Sequence, residues 1–312
     1  MKEDLNMTDL AIIGAGPAGL TAAIYALRAG INVKIFEKNI YGGQTAIIDR
    51  LENYPGFESI NGVDFANLVY NQTEKLGAEF IFSKVVKLDL LGNEKYIYTE
   101  DGKKVACKAV LISNGLKRRH LGCKGEAEFS GKGVSYCATC DGAFFKSKNV
   151  LIVGGGNTAL EDALYLSNIC SKVTMIVRKD CFRGESVLAE EVKNNSKIEI
   201  KFSSQLEEIK GEKFVNSAII KNKDGNLSEI SVEGVFIAIG YEPDKSLYEN
   251  QILTDEQGYF IADETCETNL PGVYVAGDCR KKPLRQIITA ASDGAVAGNK
   301  AAEYILRISA KK

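Results

Sequence analysis

A glycine-rich pattern occurs twice in this chain, and it restricts the fold more than any other feature. Residues 11–38 read AIIGAGPAGLTAAIYALRAGINVKIFEK, and residues 151–178, which lie 140 positions later, read LIVGGGNTALEDALYLSNICSKVTMIVR. Each block contains an apolar run, a glycine turn, a segment of helical period and a second apolar run. This order is typical of the βαβ unit that binds a dinucleotide. The repeat therefore predicts an α/β fold with two Rossmann-like dinucleotide-binding domains.

Four further segments complete the two modules. Residues 109–115 (AVLISNG) and residues 234–240 (GVFIAIG) are short apolar runs that end in glycine, and each is predicted to close its own module. Residues 272–278 (GVYVAGD) predict a later strand that returns to the first sheet, and residues 286–306 predict a helix that covers it. The first module therefore resumes after the second one has ended.

This order predicts a discontinuous first domain with the second domain inserted into it. The first domain comprises residues 1–115 and 244–312, and the inserted domain comprises residues 116–243. Ser113–Lys117 and Tyr241–Asp244 are the two linkers, and together they are expected to form a hinge with two strands.

Composition and charge exclude several classes of function. With 45% hydrophobic and 26% charged residues, the chain has the composition of an ordinary globular protein. A formal net charge of −2 gives no reason to expect a nucleic acid or an anionic membrane as a partner. His120 is the only histidine, so neither a histidine-rich metal site nor a Ser-His-Asp triad is expected, and no metal is predicted.

One uncharged stretch needs a separate interpretation. Leu10 to Leu27 spans eighteen residues, which is the length of a short membrane span or a signal peptide. Gly14, Gly16 and Pro17 interrupt its first half, and this favours a buried strand, a turn and a helix. We therefore expect a cytoplasmic protein without a membrane segment, in which most of the eight cysteines are reduced thiols.

The first glycine turn suits a nucleotide with a free ribose diol. Gly14 and Gly16 let a pyrophosphate approach the start of the helix, where exposed N–H groups favour an anion. Glu37 ends the second strand, and a carboxylate there accepts hydrogen bonds from the diol and repels a 2′-phosphate. This unit is therefore predicted to bind FAD or NAD rather than NADP.

The second unit carries the opposite charge at the corresponding position. Glu37 aligns with Val177, and three cations follow, namely Arg178, Lys179 and Arg183. Cations in place of a carboxylate are the change expected for a 2′-phosphate, and hence for NADPH. The alternative is a solvated basic strand end, because lysine and arginine are common on protein surfaces.

Cys137 and Cys140 form a CxxC motif between the first linker and the second glycine turn. A two-residue gap at a helix start allows a reversible disulfide with a reactive thiolate, and the adjacent Asp141 can exchange protons with a leaving thiolate. Zinc normally needs four ligands, which one CxxC and one histidine do not supply. A pair of buried free cysteines remains the alternative.

Taken together, these motifs closely resemble those of the low-molecular-weight thioredoxin reductases, over nearly the whole chain. The segments that carry the resemblance are GAGPAGL (14–20), GGQ (42–44), ENYPGF (52–57), GVSYCATCDG (133–142), IVGGGNTALEDALYL (152–166), PGVYVAGD (271–278) and RQIITAASDGAVA (285–297). Related flavoenzymes of the glutathione reductase type instead have a longer CxxxxC in the FAD domain and a C-terminal histidine, and this chain has neither feature.

The resemblance implies roles for individual residues. It implies that FAD contacts residues of the first domain, namely Gly14, Gly16, Pro17, Ala18, Glu37, Gly43, Gln44, Asn53, Asp278, Arg285, Gln286 and Ile287. It implies that NADPH contacts residues of the inserted domain, namely Gly154, Gly156, Asn157, Thr158, Ala159, Arg178, Lys179 and Arg183. By the same resemblance Cys140 faces the flavin, Cys137 attacks thioredoxin and Asp141 is the acid. It also implies a homodimer, and an inserted domain that rotates between two conformations.

The activity that the resemblance implies is thioredoxin-disulfide reduction, with electrons passing from NADPH through FAD and the dithiol to thioredoxin. The family's NADPH signature is His-Arg-Arg with a later arginine, and this chain departs from it at Val177-Arg178-Lys179. One alternative is therefore an enzyme of the same fold that takes electrons from ferredoxin or NADH. Another is a flavin-binding redox sensor or scaffold, although such a protein does not need the Cys137, Cys140 and Asp141 side chains.

Overall fold

The chain forms two compact units in the computed structural model. Unit 1 comprises Met1–Lys117 and Glu242–Lys312, and unit 2 comprises Arg118–Tyr241, so that the second unit is inserted into the first. The predicted outer ends of the first domain, residues 1 and 312, lie outside the residues that the structure describes, which are 7–48, 50–244, 246–248 and 251–310.

The strands in chain order are β1 (Thr8–Ile13), β2 (Val33–Glu37), β3 (Glu79–Phe82), β4 (Val85–Asp89), β5 (Lys95–Thr99), β6 (Lys104–Ile112), β7 (Leu116–Arg118), β8 (Val134–Ser135), β9 (Asn149–Val153), β10 (Lys172–Val177), β11 (Ile198–Phe202), β12 (Gln205–Gly211), β13 (Val215–Lys221), β14 (Leu227–Ser231), β15 (Gly234–Ile237), β16 (Tyr241–Pro243) and β17 (Val273–Val275). The α-helices are α1 (Pro17–Arg28), α2 (Gly62–Lys75), α3 (Ala138–Asp141), α4 (Asn157–Ser167), α5 (Ser186–Asn194) and α6 (Ile287–Ser309). Short 3₁₀ helices lie at Gly43–Ile47 and Gly142–Phe145.

The central sheet of unit 1 has the strand order β3-β2-β1-β6-β5-β4, with β17 paired to β6. Strand β1 runs parallel to β2 and to β6, whereas β5 runs antiparallel to its neighbours β4 and β6. Leu10–Ile13 of β1 is buried on both faces of the sheet, because helices α1 and α6 pack on one face and a second apolar cluster covers the other. The glycine turn therefore follows a fully buried strand.

Helix α6 packs on α1 through backbone contacts. A Cβ atom on Gly294 would lie 2.2 Å from the carbonyl oxygen of Ala18, and one on Gly298 would lie 2.3 Å from that of Ala22. Only glycine permits so close an approach, because any side chain would overlap the carbonyl groups. The first half of α6 is thereby fixed against the first half of α1.

Unit 2 repeats the same arrangement. Its main sheet has the order β11-β10-β9-β15-β8, with every pair parallel, and β12, β13 and β14 form a separate antiparallel sheet. The apolar runs that were predicted to close the modules form β6 and β15, and each pairs with the first strand of its own unit, β1 or β9. The prediction of two Rossmann-like units is confirmed.

The chain passes between the units at β7 and β16, and these two strands pair with each other. The uncharged stretch from Leu10 to Leu27 forms part of β1, the glycine turn and most of α1, as its glycines predicted. Within residues 7–48, 50–244, 246–248 and 251–310, no helix is both long and apolar enough to cross a membrane.

Candidate functional site

The first glycine turn leaves open space beside the start of α1. Gly14 has φ +103°, and a Cβ atom on it would lie 2.5 Å from the carbonyl oxygen of Ser113, so packing requires glycine there. Gly19 is equally constrained, because its Cβ atom would lie 2.0 Å from the carbonyl oxygen of Gly14. A Cβ atom on Gly16, by contrast, would meet no protein atom within 4 Å. The space beside Gly16 and the N–H groups that start α1 therefore fit a ligand phosphate.

Backbone hydrogen bonds orient the carboxylate of Glu37 towards this turn. The N–H of Ala15 donates to Oε2 of Glu37 at 3.0 Å, and the N–H of Asn39 donates to Oε1 at 2.9 Å. Each carboxylate oxygen keeps lone-pair capacity for a further donor. A ribose diol supplies two such donors, so the geometry fits the role that was predicted for Glu37.

Two further segments of the chain lie on this side of unit 1. The 3₁₀ helix Gly43–Ile47 lies beside the glycine turn, because a Cβ atom on Gly43 would be 3.6 Å from Cα of Gly16. Asn53 donates through Nδ2 to Oε1 of Gln286 at 3.2 Å, although 233 positions separate the two residues. Gly43 thus lies at the glycine turn, and Asn53 and Gln286 meet in the folded unit. Side-chain amides can both donate and accept hydrogen bonds, so they suit the polar edge of a bound cofactor.

Asp278 has a buried oxygen without a partner. Its Oδ1 atom is shielded from solvent and, among the described residues, receives no hydrogen bond. Burial raises the pKa of this carboxyl, and the cations Lys282 and Arg285 partly oppose the shift. An orphaned buried acceptor is costly unless a donor reaches it, and a ligand hydroxyl is such a donor. The site therefore fits a polyhydroxylated cofactor such as FAD.

The segment that carries Asp278 lies against the start of α1. A Cβ atom on Gly277 would be 2.9 Å from Cβ of Ala18, which brings the returning segment to the first turn of the helix. Arg285 donates through Nε to the carbonyl oxygen of Asp278 at 3.2 Å, and its guanidinium group stacks 3.8 Å above the Tyr259 ring. The returning segment thus lies beside the start of α1 at Gly277, and Arg285 is bonded to the next residue, Asp278.

The second glycine turn, in unit 2, has the same design. Gly154 has φ +150°, and a Cβ atom on it would lie 2.2 Å from the carbonyl oxygen of Ala238, whereas one on Gly156 would meet nothing within 4 Å. Ala159 is fully buried beneath the turn. Asn157 and Glu185 exchange two hydrogen bonds, of 2.9 and 2.7 Å, which tie the loop after β10 to the start of α4.

Three exposed cations surround this second turn. Arg178 and Lys179 directly follow the end of β10 at Val177, and the N–H of Arg183 donates to the carbonyl oxygen of Gly155 at 2.7 Å. Within the part of the chain that the structure describes, none of the three side chains has a hydrogen bond or an ion pair. Their charge is uncompensated, which fits a phosphate monoester. Thr158, also predicted, lies in the first turn of α4.

Cys137 and Cys140 form a disulfide, with their Cα atoms 5.3 Å apart. Cys137 caps α3, and its sulfur accepts a hydrogen bond from the N–H of Cys140 at 3.2 Å. Cys140 is exposed and Cys137 is half-buried. The other six cysteines are free thiols. The CxxC motif is therefore a closed redox couple at the surface of unit 2, and the interpretation as two buried free cysteines is wrong.

Ser135 is a residue of this site that the sequence analysis missed. Its hydroxyl donates to Oδ2 of Asp141 at 2.6 Å and accepts a hydrogen bond from the N–H of Cys137 at 3.1 Å. A serine two positions before a cysteine has no general signature, but its place inside the GVSYCATCDG segment was the available signal. Ser135 links the predicted acid to the backbone of the redox couple.

Comparisons with known proteins agree with this geometry. Residues 8–294 match the sequence profile of the pyridine nucleotide-disulphide oxidoreductase family. The chain is 40% identical to a thioredoxin reductase from Listeria monocytogenes, over 98% of this chain and 96% of that protein. It is similar to the crystal structure of Lactococcus lactis thioredoxin reductase, with a TM-score of 0.89 and 37% identity over 96% of this chain and 99% of the other. A ferredoxin-flavin thioredoxin reductase from Clostridium acetobutylicum is less similar, with a TM-score of 0.54 and 30% identity over 98% and 99%.

The two open glycines allow the two nucleotide sites to be tested separately. Gly16→Ala and Gly156→Ala each add one methyl group that contacts no protein atom, at backbone angles that alanine adopts. We expect Gly16→Ala to weaken FAD binding, and Gly156→Ala to raise the Michaelis constant for NADPH, each roughly tenfold to hundredfold, as for about 1–3 kcal/mol of overpacking.

Fluorescence titration of the flavin-free chain with FAD and steady-state kinetics with NADPH measure these effects. Both variants should unfold within about 0.5 kcal/mol of the wild type, because neither methyl group meets the protein. Each variant is the control for the other. Equal loss of FAD affinity in both variants would contradict the assignment of one nucleotide to each turn.

Proposed function

Because the chain belongs to the pyridine nucleotide-disulphide oxidoreductases, and within them to the thioredoxin reductases, we propose that it passes electrons from NADPH through FAD and the Cys137–Cys140 dithiol to a thioredoxin disulfide. The observation that carries this proposal is the surface disulfide in a unit that also contains a nucleotide-binding turn. FAD, when bound, accepts a hydride from NADPH and delivers two electrons to a disulfide.

Within this scheme the residues of unit 1 bind the flavin and those of unit 2 bind the donor. Glu37, with both of its oxygens oriented by backbone N–H groups, holds the adenosine ribose of FAD. Asp278 offers its unpartnered oxygen to a hydroxyl group of the cofactor chain. The exposed cations at 178, 179 and 183 hold the 2′-phosphate of NADPH.

The two thiols have different roles in thiol–disulfide exchange. The Cys137 sulfur caps the start of α3 and accepts a hydrogen bond from the N–H of Cys140 at 3.2 Å, an interaction that favours the thiolate form. We therefore propose, as the resemblance implies, that Cys140 faces the flavin and that the attacking thiolate is Cys137. Its sulfur bonds to one thioredoxin sulfur, and the thioredoxin S–S bond breaks to release a thiolate. Cys140 then attacks the Cys137 sulfur, which re-forms the internal disulfide and releases reduced thioredoxin.

Asp141 donates and accepts the protons of this exchange. Reduction of the internal disulfide to two thiols takes up two electrons and two protons, and one thiol must lose its proton before it attacks. The Asp141 carboxylate follows Cys140 directly in the chain, and the Ser135 hydroxyl fixes its Oδ2 atom at 2.6 Å. We therefore assign Asp141 as general acid and base, and Ser135 as the residue that orients it.

NADPH is the preferred donor over ferredoxin and NADH. A protein that takes electrons directly from ferredoxin does not need the exposed cations. These cations attract a 2′-phosphate, which NADPH carries and NADH lacks. The ferredoxin-flavin relative is also less similar to this chain than the Lactococcus lactis thioredoxin reductase is. A redox sensor or scaffold explains neither the disulfide nor the oriented carboxylate.

We further propose that the protein acts as a homodimer in the cytoplasm. The family resemblance supports the dimer, and Val63 and Leu68 of α2 are exposed apolar side chains, as is Leu76 directly after it. Reduced thiols at six of the eight cysteines support a reducing compartment. Sedimentation of the purified protein measures the oligomeric state.

Removal of either redox cysteine should abolish turnover with thioredoxin. Cys140→Ser should still react with a thioredoxin that carries one cysteine activated by thionitrobenzoate, because Cys137 remains at the start of α3. Cys137→Ser should release the coloured thiolate about tenfold more slowly, since the remaining Cys140 does not cap the start of α3. Stopped-flow absorbance follows this release, and both variants should bind FAD as the wild type does.

Substantial thioredoxin turnover by either cysteine variant would exclude the dithiol mechanism. Faster release from Cys137→Ser than from Cys140→Ser would give the attacking role to Cys140.

Asp141→Asn should slow the reduction of thioredoxin by about 10²–10⁴-fold, the usual contribution of a general acid–base group. The rate at which NADPH bleaches the flavin should stay unchanged, because Asp141 is not a nucleotide-binding residue. Ser135→Ala should cause a smaller loss, since the carboxylate remains but loses one orienting hydrogen bond. Rapid-mixing kinetics separate the two half-reactions. An Asp141→Asn enzyme within twofold of the wild type would show that solvent supplies the proton.

The double variant Arg178→Ala/Arg183→Ala should lose most of the preference for NADPH over NADH. A charge-assisted hydrogen bond contributes about 1.5–3 kcal/mol, so we expect the NADPH Michaelis constant to rise roughly tenfold to hundredfold while that for NADH stays constant. Added salt should act in the same direction. Lys223→Ala, which removes an exposed cation from the β13–β14 turn, is the matched control. A wild-type enzyme that uses NADH as well as NADPH would refute this assignment.

A further inference from the structure

The carboxylate of Asp293, in α6, is surrounded by donors from the segment that precedes this helix. Its Oδ2 atom accepts hydrogen bonds from the N–H of Gly277 at 2.9 Å, from Nε of Arg280 at 3.2 Å and from Nζ of Lys282 at 2.7 Å. Its Oδ1 atom accepts a further one from Nη2 of Arg280 at 2.9 Å. One side chain thus fixes three positions of a six-residue segment.

This cluster is almost entirely buried. The side chains of Asp293, Arg280 and Lys282 are 8%, 12% and 5% exposed, and one carboxylate faces two cations. Buried ion pairs contribute little net stability, because desolvation of the charges offsets most of their attraction. A buried ion cluster is therefore a poor way to stabilise a fold, and the position of this one within unit 1 points to a different purpose.

The segment that Asp293 holds contains Asp278. Gly277 and Arg280 flank Asp278 on both sides, and both are bonded to the Asp293 carboxylate. The Oδ1 atom of Asp278 is the buried acceptor without a partner, and Gly277 lies against Ala18 in the first turn of α1. Displacement of the segment by even 1 Å would move this oxygen relative to the glycine turn.

We propose that Asp293 is a positioning residue of the FAD site, which fixes the Gly277–Lys282 segment so that Asp278 presents its free oxygen to the cofactor. Asp293 does not itself touch the cofactor in this scheme. It acts through the backbone of residues 277 and 278 and through the two cations. The inference rests on the proposed function, because it requires that unit 1 bind FAD.

A double-mutant cycle on FAD affinity tests this role. The dissociation constant is measured by quenching of flavin fluorescence, with the full-length flavin-free chain, for the wild type, Asp293→Asn, Asp278→Ala and the double variant. We expect Asp293→Asn to weaken binding by about tenfold or more, and the double variant to bind within about twofold of Asp278→Ala alone. Asp293→Asn should therefore have no further effect on FAD affinity once the Asp278 carboxylate has been removed.

Asp9→Asn is the matched control. Asp9 also pairs with a lysine, Lys108, at 2.7 Å, and also accepts a backbone N–H, that of Asn32, at 3.1 Å, within the same unit. It lies at the opposite end of β1 from the glycine turn. We expect this variant to lower the unfolding midpoint but to leave the FAD dissociation constant unchanged.

Arg280→Lys is a second test variant, for use if Asp293→Asn does not fold. It keeps the charge of the cluster but loses the two-pronged contact with Asp293, so it should weaken FAD binding severalfold, again only when Asp278 is present. Wild-type affinity in the variant that folds, or effects that multiply with that of Asp278→Ala, would overturn the proposal. A wild-type chain that binds no FAD would instead refute the proposed function.

Discussion

The close approach of backbone to backbone around the first turn of α1 is the constraint on which unit 1 depends. On the strand side, a side chain at Gly19 would overlap the carbonyl group of Gly14; on the helix side, one at Gly294 would overlap that of Ala18. Held between these contacts, the helix keeps its unpaired N–H groups beside the open space at Gly16. Phosphate binding is therefore fixed first by main-chain packing, and the surrounding side chains add selectivity to it.

Unit 2 has the same close backbone packing around its glycine turn, but the charged residues at the end of the next strand differ. In unit 1 the strand that follows the helix ends in Glu37, whose carboxylate is held by two N–H groups. In unit 2 the corresponding strand ends in Val177, which is 4% exposed, and exposed cations follow it in the chain. The two nucleotide specificities that we propose thus differ at a single strand end, while the packing of the two glycine turns is equivalent.

Short-range patterns made the two Rossmann-like units and the CxxC couple predictable, because a strand, a glycine turn and a helix follow one another within thirty residues. Contacts between distant residues were not predictable in the same way. The hydrogen bond from Asn53 to Gln286 has no local signal, and the family resemblance alone placed both residues at one site. Arg280 and Lys282 look like ordinary surface cations in the sequence, and only the fold buries them against Asp293. The difference in exposure between Cys137 and Cys140 likewise depends on how α3 packs.

The cysteines differ in exposure and in thiol pKa, so that a single cysteine can be labelled selectively. Burial raises the pKa of the Cys107, Cys266 and Cys279 thiols to about 12, which leaves them almost without the reactive thiolate at neutral pH. While the redox couple is closed, Cys181 is the one exposed free thiol among the described residues, and it lies between Lys179 and Arg183. A thiol-directed fluorophore attached there sits next to the proposed 2′-phosphate contacts, and its emission reports donor binding without any engineered cysteine.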